Sequence, residues 1–292
     1  MRSAQQGAEL TFDIVLGDFG RLASVDYARY LSEEEQSRLT AQGNLDFFDE
    51  ERRIMFNLCC QIEWYKRDSI ANQLKRQGHI DRDILVGIGP DNVADEFLNK
   101  GSETVTENIK CAIGKNYRRI RVYTPCNGLS DLTREIVARG VASLAGESYG
   151  DQLRSEGECS LPNGILVEFS NVAQKVVRRI SRKSPSQTVL VLGTKGVNDI
   201  YRKQVNGTGL SVFPLNKNDF KLIDDAIVAS IGKSADHLNS IKSDLMERIV
   251  SRFRATHPLG PVLEACTDFS FGLGENTLRI FAEEMVNDVY GS

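Results

Sequence analysis

Seven short apolar runs rich in β-branched residues recur along the chain, at residues 12–16, 84–88, 120–123, 164–168, 188–192, 210–213 and 262–265. Their length and composition fit strands buried on both faces, as parallel strands are. Between them lie segments with apolar residues at helical spacing, such as Leu132, Ile136, Val137 and Val141, or Val172, Val176, Val177 and Ile180. A helix with such a stripe buries it against a sheet. Strands alternating with covering helices specify an α/β fold with parallel sheets.

At 292 residues the chain has room for two such units, at roughly 150 residues each. The stretch 145–162, AGESYGDQLRSEGECSLP, is polar and rich in glycine, which predicts a boundary between them. One region breaks the alternation: Phe48, Ile54, Met55, Leu58, Cys59, Ile62 and Tyr65 recur at helical spacing. That pattern predicts an inserted pair of helices over residues 31–78.

The net charge is −4, and no block of like charge exceeds the run Glu33, Glu34, Glu35. A chain so balanced has no electrostatic footprint for nucleic acid or an anionic membrane, so the expected partner is a small molecule. The opening residues hold no signal-like apolar stretch, and no membrane-length apolar run follows, which predicts a cytoplasmic protein. His79, His237 and His257 are scattered and give no metal cluster. GTKG at 193–196 and GIGP at 87–90 lack the spacing of nucleotide-binding glycine motifs. No metal and no other cofactor is expected.

The six cysteines form neither a disulfide framework nor a metal-binding CxxC pattern. Cys59, Cys60 and Cys111 fall on helical apolar stripes, where a thiol is a packing group, and Cys159 falls in the polar stretch. Cys126 and Cys266 differ: each stands just after a predicted strand and is followed by a small hydrogen-bonding residue, Asn127 or Thr267. Ligands of parallel sheets bind outside the carboxyl ends of the strands. Two thiols facing each other across a cleft there suit one chemistry, in which a thiolate takes a proton from carbon and the opposite thiol delivers one to the other face. The ordinary thiol pKa of about 8.5 allows one member to ionise with modest help. The pair must hold opposite protonation states.

On these residues the sequence resembles the aspartate/glutamate racemase superfamily, closest to aspartate racemase. LGDFGRLASVDY, residues 16–27, is similar to the opening GGMGPLAT through Gly17, Gly20, Leu22 and Ala23, with Ser24 for the threonine. TPCNG is similar to PCNTAH through Pro125, Cys126 and Asn127. VLGTKGVNDIYRKQV, residues 191–205, resembles the segment LLAT...GxYEKEF through Thr194, Tyr201 and Lys203, and EACTD resembles GCTE through Cys266 and Thr267. The landmarks follow one another in family order over nearly the whole chain.

The resemblance implies two similar flavodoxin-like or Rossmann-like α/β domains with the active site in the cleft between them. It implies a last helix that returns to the first domain, giving domains of 1–142 plus 276–292, carrying Cys126, and 143–275, carrying Cys266. Cys126 and Cys266 become the acid/base pair. Ser24, Asn127, Thr194 and Thr267, with nearby backbone amides, are implied to hold the substrate's carboxylates and amine, and Lys203 to pair with a side-chain carboxylate. A homodimer is compatible with it.

Several positions depart from the family pattern. Asp18 stands at a glycine of the aspartate racemase opening, or else at the aspartate of the DSG motif of glutamate racemases, and both alignments stay open. Beside a second substrate carboxylate it would repel, whereas an ammonium group would suit it. Arg21 replaces proline, Gly128 replaces threonine, Ser130 stands in place of histidine, and Asp268 shortens a glutamate. The family's second strand carries a carboxylate-binding arginine. Taking residues 56–68 as that strand nominates Arg67, but the helical periodicity favours 84–88, where Asp91 and Asn92 follow instead.

The expected function is therefore a cofactor-independent racemase of acidic amino acids. A cis–trans isomerase or a decarboxylase of a small dicarboxylic acid is the rival within the superfamily, although a decarboxylase needs only one cysteine. A binding protein that keeps the cleft without turnover is the rival outside catalysis.

Overall fold

Among the described residues the apolar runs fall in the strands of two sheets. The structure, a computed structural model, describes residues 11–16, 23–41, 56–59 and 91–290 apart from 116, 185, 233–234 and 267–270. Strands β1 (Thr11–Leu16), β2 (Phe56–Cys59), β3 (Arg119–Tyr123), β4 (Glu158–Ser160) and β5 (Leu166–Phe169) form the first sheet in the order β2-β1-β3-β5-β4. Strands β6 (Thr188–Leu192), β7 (Ser211–Val212), β8 (Val262–Glu264) and β9 (Glu275–Asn276) form the second in the order β7-β6-β8-β9. Among the described strands only the edge strand β4 runs antiparallel.

The described helices are α1 (Ala23–Ala41), α2 (Asp91–Gly114), α3 (Ser130–Ala145), α4 (Glu147–Glu156), α5 (Val172–Lys183), α6 (Lys195–Gln204), α7 (Lys217–Gly232), α8 (Ala235–Leu245), α9 (Ser251–Thr256) and α10 (Thr277–Tyr290). Among the described residues no helix is long and apolar enough to cross a membrane.

Alternation of side chains along each strand sorts the core into layers. Phe12, Ile14, Leu16, Ile120 and Val122 pack on one face of the first sheet against Val105, Ile109, Ile136 and Val137 of α2 and α3. Val15 and Tyr123, on the opposite face, share a cluster with Val191, Leu263 and Ala265 of the second sheet, bridged by α5, α6 and α10. Leu190, Leu192 and Val262 pack on the far face against Ile223, Leu245 and Phe253. The middle layer thus belongs to both sheets.

That layer also holds a fully buried ion pair. Arg121 Nε and Nη2 donate to Asp13 Oδ1 and Oδ2, each at 2.7 Å, and both side chains are 0% exposed. Tyr123 donates to Asp13 Oδ2 (3.1 Å), Tyr27 donates to Tyr123 (3.1 Å), and Arg121 Nη1 donates to the Met285 carbonyl (2.9 Å). The group ties β1 and β3 to α1 and to α10, which leaves the second sheet and packs along α1 and α5.

Three expectations change. Residues 56–59 are a strand paired with β1 in the register Asp13↔Phe56 to Leu16↔Cys59, not part of an inserted helix pair, and residues 31–41 belong to α1. A few apolar residues satisfy both periods, so so short a window does not separate them. The strand beside β1 is therefore 56–59 rather than 84–88; residues 84–88, Arg67 and Cys60 lie outside the described residues. The stretch 145–162 is no linker. It forms α4, ended by Gly157 in the left-handed conformation (φ 82), and then β4, which pairs with β5. Both strands belong to the first sheet, so the sheets change between Phe169 and Thr188 rather than near 143. At buried Gly150 a Cβ would stand 2.8 Å from the Ala138 carbonyl, which is how closely α4 lies on α3.

Two cysteines are also placed differently. Cys111 is exposed, because the buried stripe of α2 runs through Val105, Ile109 and Ala112 and leaves it on the other side. Cys159 is a buried strand residue opposite Val167. Burial, with the Glu158 charge, pushes its thiol up to about 11, so it stays neutral near pH 7. Iodoacetamide is expected to label Cys111 in the folded protein while leaving Cys159 intact, as read by peptide mass spectrometry; equal labelling would contradict this packing.

Candidate active site

Both sheets direct their strand ends to one seam, and Asn127 spans it. After β3 the chain turns at Thr124 and Pro125, with the Cys126 amide donating to the Thr124 carbonyl at 2.7 Å. Thr133 of α3 holds the Thr124 hydroxyl at 2.8 Å. Asn127 then opens a single 3₁₀ turn, Asn127–Leu129, before α3. Its side chain is 1% exposed. The amide nitrogen donates to the Ala265 carbonyl and to Thr277 Oγ1, both at 3.1 Å, and Oδ1 accepts from the Tyr201 hydroxyl at 2.9 Å. Burial holds the Tyr201 phenol far above its ordinary range, so it remains a donor and fixes which way the amide faces.

This junction brings the two cysteine segments together. Asn127 follows Cys126, Ala265 precedes Cys266, and the two residues share a hydrogen bond although they are 138 positions apart. Both thiols are half-buried, and neither is in a disulfide. Cys126 packs at the edge of the first sheet's outer cluster and Cys266 at the edge of the second sheet's. Thr277 completes the junction by donating to the Glu264 carbonyl at 3.0 Å, and the Ala265 amide donates to Leu192 of β6 at 2.9 Å.

Thr194 stands at the end of β6 and caps α6, its hydroxyl accepting the Val197 amide at 3.3 Å. Its backbone is fixed by Asn198, whose side-chain nitrogen donates to the carbonyls of Val191, Gly193 and Thr194 at 3.1, 3.0 and 3.2 Å. Ser24 lies in the first turn of α1, the helix that follows β1. The positive ends of α1, α3 and α6 therefore lie at strand ends, where they favour carboxylates.

Lys203 does not join this group. Lys203 is exposed in the last turn of α6. The helix begins at the strand end and runs away from it, which puts Lys203 about 13 Å along the axis from Thr194. Asp18 and Thr267 lie outside the described residues, as do Arg21 and Asp268. Conversely, Tyr201 enters the sequence reading only as a motif match, and Thr277, Asn198 and Glu264 do not enter it at all. The signal for Glu264 was present as one charged residue inside the apolar run VLEA.

Two largely parallel sheets joined by a shared core, with a half-buried thiol just beyond a strand of each, define a two-unit α/β protein with its candidate site at the junction. Solved structures of Asp/Glu racemases have this fold. One from Yersinia pestis assigned to that group matches with a TM-score of 0.57 at 12% identity, over 97% of this chain and 99% of that one. An aspartate racemase from Picrophilus torridus matches at 0.50 and 13%, over 96% and 94%. An aspartate racemase homologue from Pyrococcus horikoshii OT3 matches at 0.52 and 13%, over 97% and 100%. No family model and no curated protein matches the sequence.

Proposed function

We propose that the protein is a cofactor-independent racemase of acidic amino acids, a cytoplasmic enzyme acting on a small-molecule substrate. The observation that carries this is the Asn127–Ala265 hydrogen bond, which places the residues beside Cys126 and Cys266 in contact across the junction of the two sheets. In the proposed reaction one thiolate removes the α-proton and the other thiol protonates the opposite face of the planar carbanion. The roles exchange with direction, as a reversible racemisation requires. The α-carbanion is stabilised by its carboxylate, which the helix N-termini behind Ser24 and Thr194 would bind together with those side chains and Thr267. Asp18 suits the substrate's ammonium group. The fold shared with aspartate racemases supports this reading.

Asn127 enters the proposal chiefly as a clamp. Its amide oxygen and nitrogen are engaged by Tyr201, Thr277 and Ala265, so its part in binding is to hold the two cysteine segments in register. The reaction is tested by incubating the protein with L-aspartate and with L-glutamate and separating enantiomers by chiral chromatography. The D-enantiomer is expected from at least one of them. Conversion of maleate to fumarate with no racemisation would instead select the isomerase, in which a thiolate adds to the alkene. Binding of these acids without either turnover would select the binding protein.

A further inference from the structure

Glu264 plays no part in the chemistry above, yet it is a carboxyl group 2% exposed, at the end of β8 and two residues before Cys266. Its Oε1 accepts the backbone amides of Phe271 at 3.1 Å and Leu273 at 2.7 Å. Gly272 between them has φ 66, a left-handed turn that aims successive amides at one point. Alternation along the strand puts Glu264 on the Cys266 side: Leu263 and Ala265 pack in the middle layer, whereas Val262 and Cys266 pack with the far cluster.

The same residue is gripped through its backbone. The Glu264 carbonyl accepts from Thr277, and the next residue bonds β6 through its amide and Asn127 through its carbonyl. Cys266 is thus preceded by a fully anchored strand end and followed, within seven residues, by amides tied back to that strand.

We propose that Glu264 is a positioning residue for Cys266, its carboxyl holding residues 271–273 against the strand end that carries the thiol. Its effect on turnover rests on the racemase reading; its effect on the thiol does not. A carboxyl group rather than an apolar residue is required there because two amides converge on it, the Leu273 one buried and the Phe271 one partly so, and an amide buried without an acceptor is costly.

The test combines three variants with site-resolved labelling. In Glu264→Leu both amides lose their acceptor, whereas Glu264→Gln keeps a carbonyl oxygen at the same reach. Gly272→Val strains the left-handed turn while leaving the carboxyl in place, and it serves if Glu264→Leu does not fold. The iodoacetamide labelling rate of Cys266 relative to Cys126 is expected to change about tenfold in Glu264→Leu and Gly272→Val, the scale of one hydrogen bond, and to stay near the parent ratio in Glu264→Gln. In the racemase assay kcat is expected to fall about 100-fold in Glu264→Leu with KM little changed, and to recover in Glu264→Gln, as misplacement of a reacting group predicts. An unchanged labelling ratio in both disruptive variants overturns the proposal. So does equal loss in Gln and Leu, which would make the charge itself the active feature. If the parent turns over no amino acid, the racemase reading fails while the labelling ratio still decides the role of Glu264.

Discussion

Cys126→Ser and Cys266→Ser are each expected to lower racemisation by about 100- to 10,000-fold, the contribution of a positioned general acid or base. Serine preserves size and hydrogen bonding, so the half-buried positions tolerate it, but a hydroxyl is a far weaker acid than a thiol. The two losses should differ in kind. With one thiol gone, the other still removes the α-proton of the enantiomer it faces and returns a solvent hydron to the same face. Each variant should therefore wash solvent deuterium into one enantiomer only, and the two variants into opposite enantiomers, as followed by loss of the α-proton signal in NMR. A variant that racemises at the parent rate would remove its cysteine from the mechanism.

Asp13→Ala is expected to lower the unfolding free energy by about 3–5 kcal/mol, because it leaves a buried guanidinium without the carboxylate that hydrogen-bonds it. Arg121 is 0% exposed and spends two of its nitrogens on Asp13; Nη1 donates to the Met285 carbonyl, and the Asp288 carboxylate stands 3.9 Å from it, beyond hydrogen-bond reach. Tyr123 loses its acceptor in the same change. The cause is the orphaned charge rather than a large net benefit of the pair, so Asp13→Leu combined with Arg121→Met should cost clearly less than Asp13→Ala alone. Urea unfolding of the three proteins checks the order. A single variant within experimental error of the parent would contradict burial of this pair.

Much of the layout was legible because it depends on local pattern. The β-branched runs at 12–16, 120–123 and 188–192 lie in strands Thr11–Leu16, Arg119–Tyr123 and Thr188–Leu192, and the stripe Val172, Val176, Val177, Ile180 is buried. What escaped was ambiguous locally or set by distant partners. Residues 56–59 are too few to separate the two periods, and pairing with β1 decided them as a strand. Helix α4 is short and polar on most of its surface and is bounded by Gly146 and Gly157, so it reads as a linker until α3 supplies the face it packs on. The clamp made by Asn127 was hidden because its three partners lie at positions 201, 265 and 277, beyond any sequence window. Lys203 matched a motif, but the direction of α6 carries it away from the strand ends.

The central claim is that two thiols on opposite sides of the substrate carry the proton. It is tested most directly by running the parent enzyme on L-aspartate in heavy water and analysing both enantiomers by mass at low conversion. If one thiol takes the proton and the other supplies one from solvent, the D-aspartate formed carries deuterium at the α-carbon from the first turnovers while the recovered L-aspartate stays largely unlabelled. D-aspartate that retains the original α-proton would mean that a single group removes and returns it, and would contradict the pairing of Cys126 with Cys266.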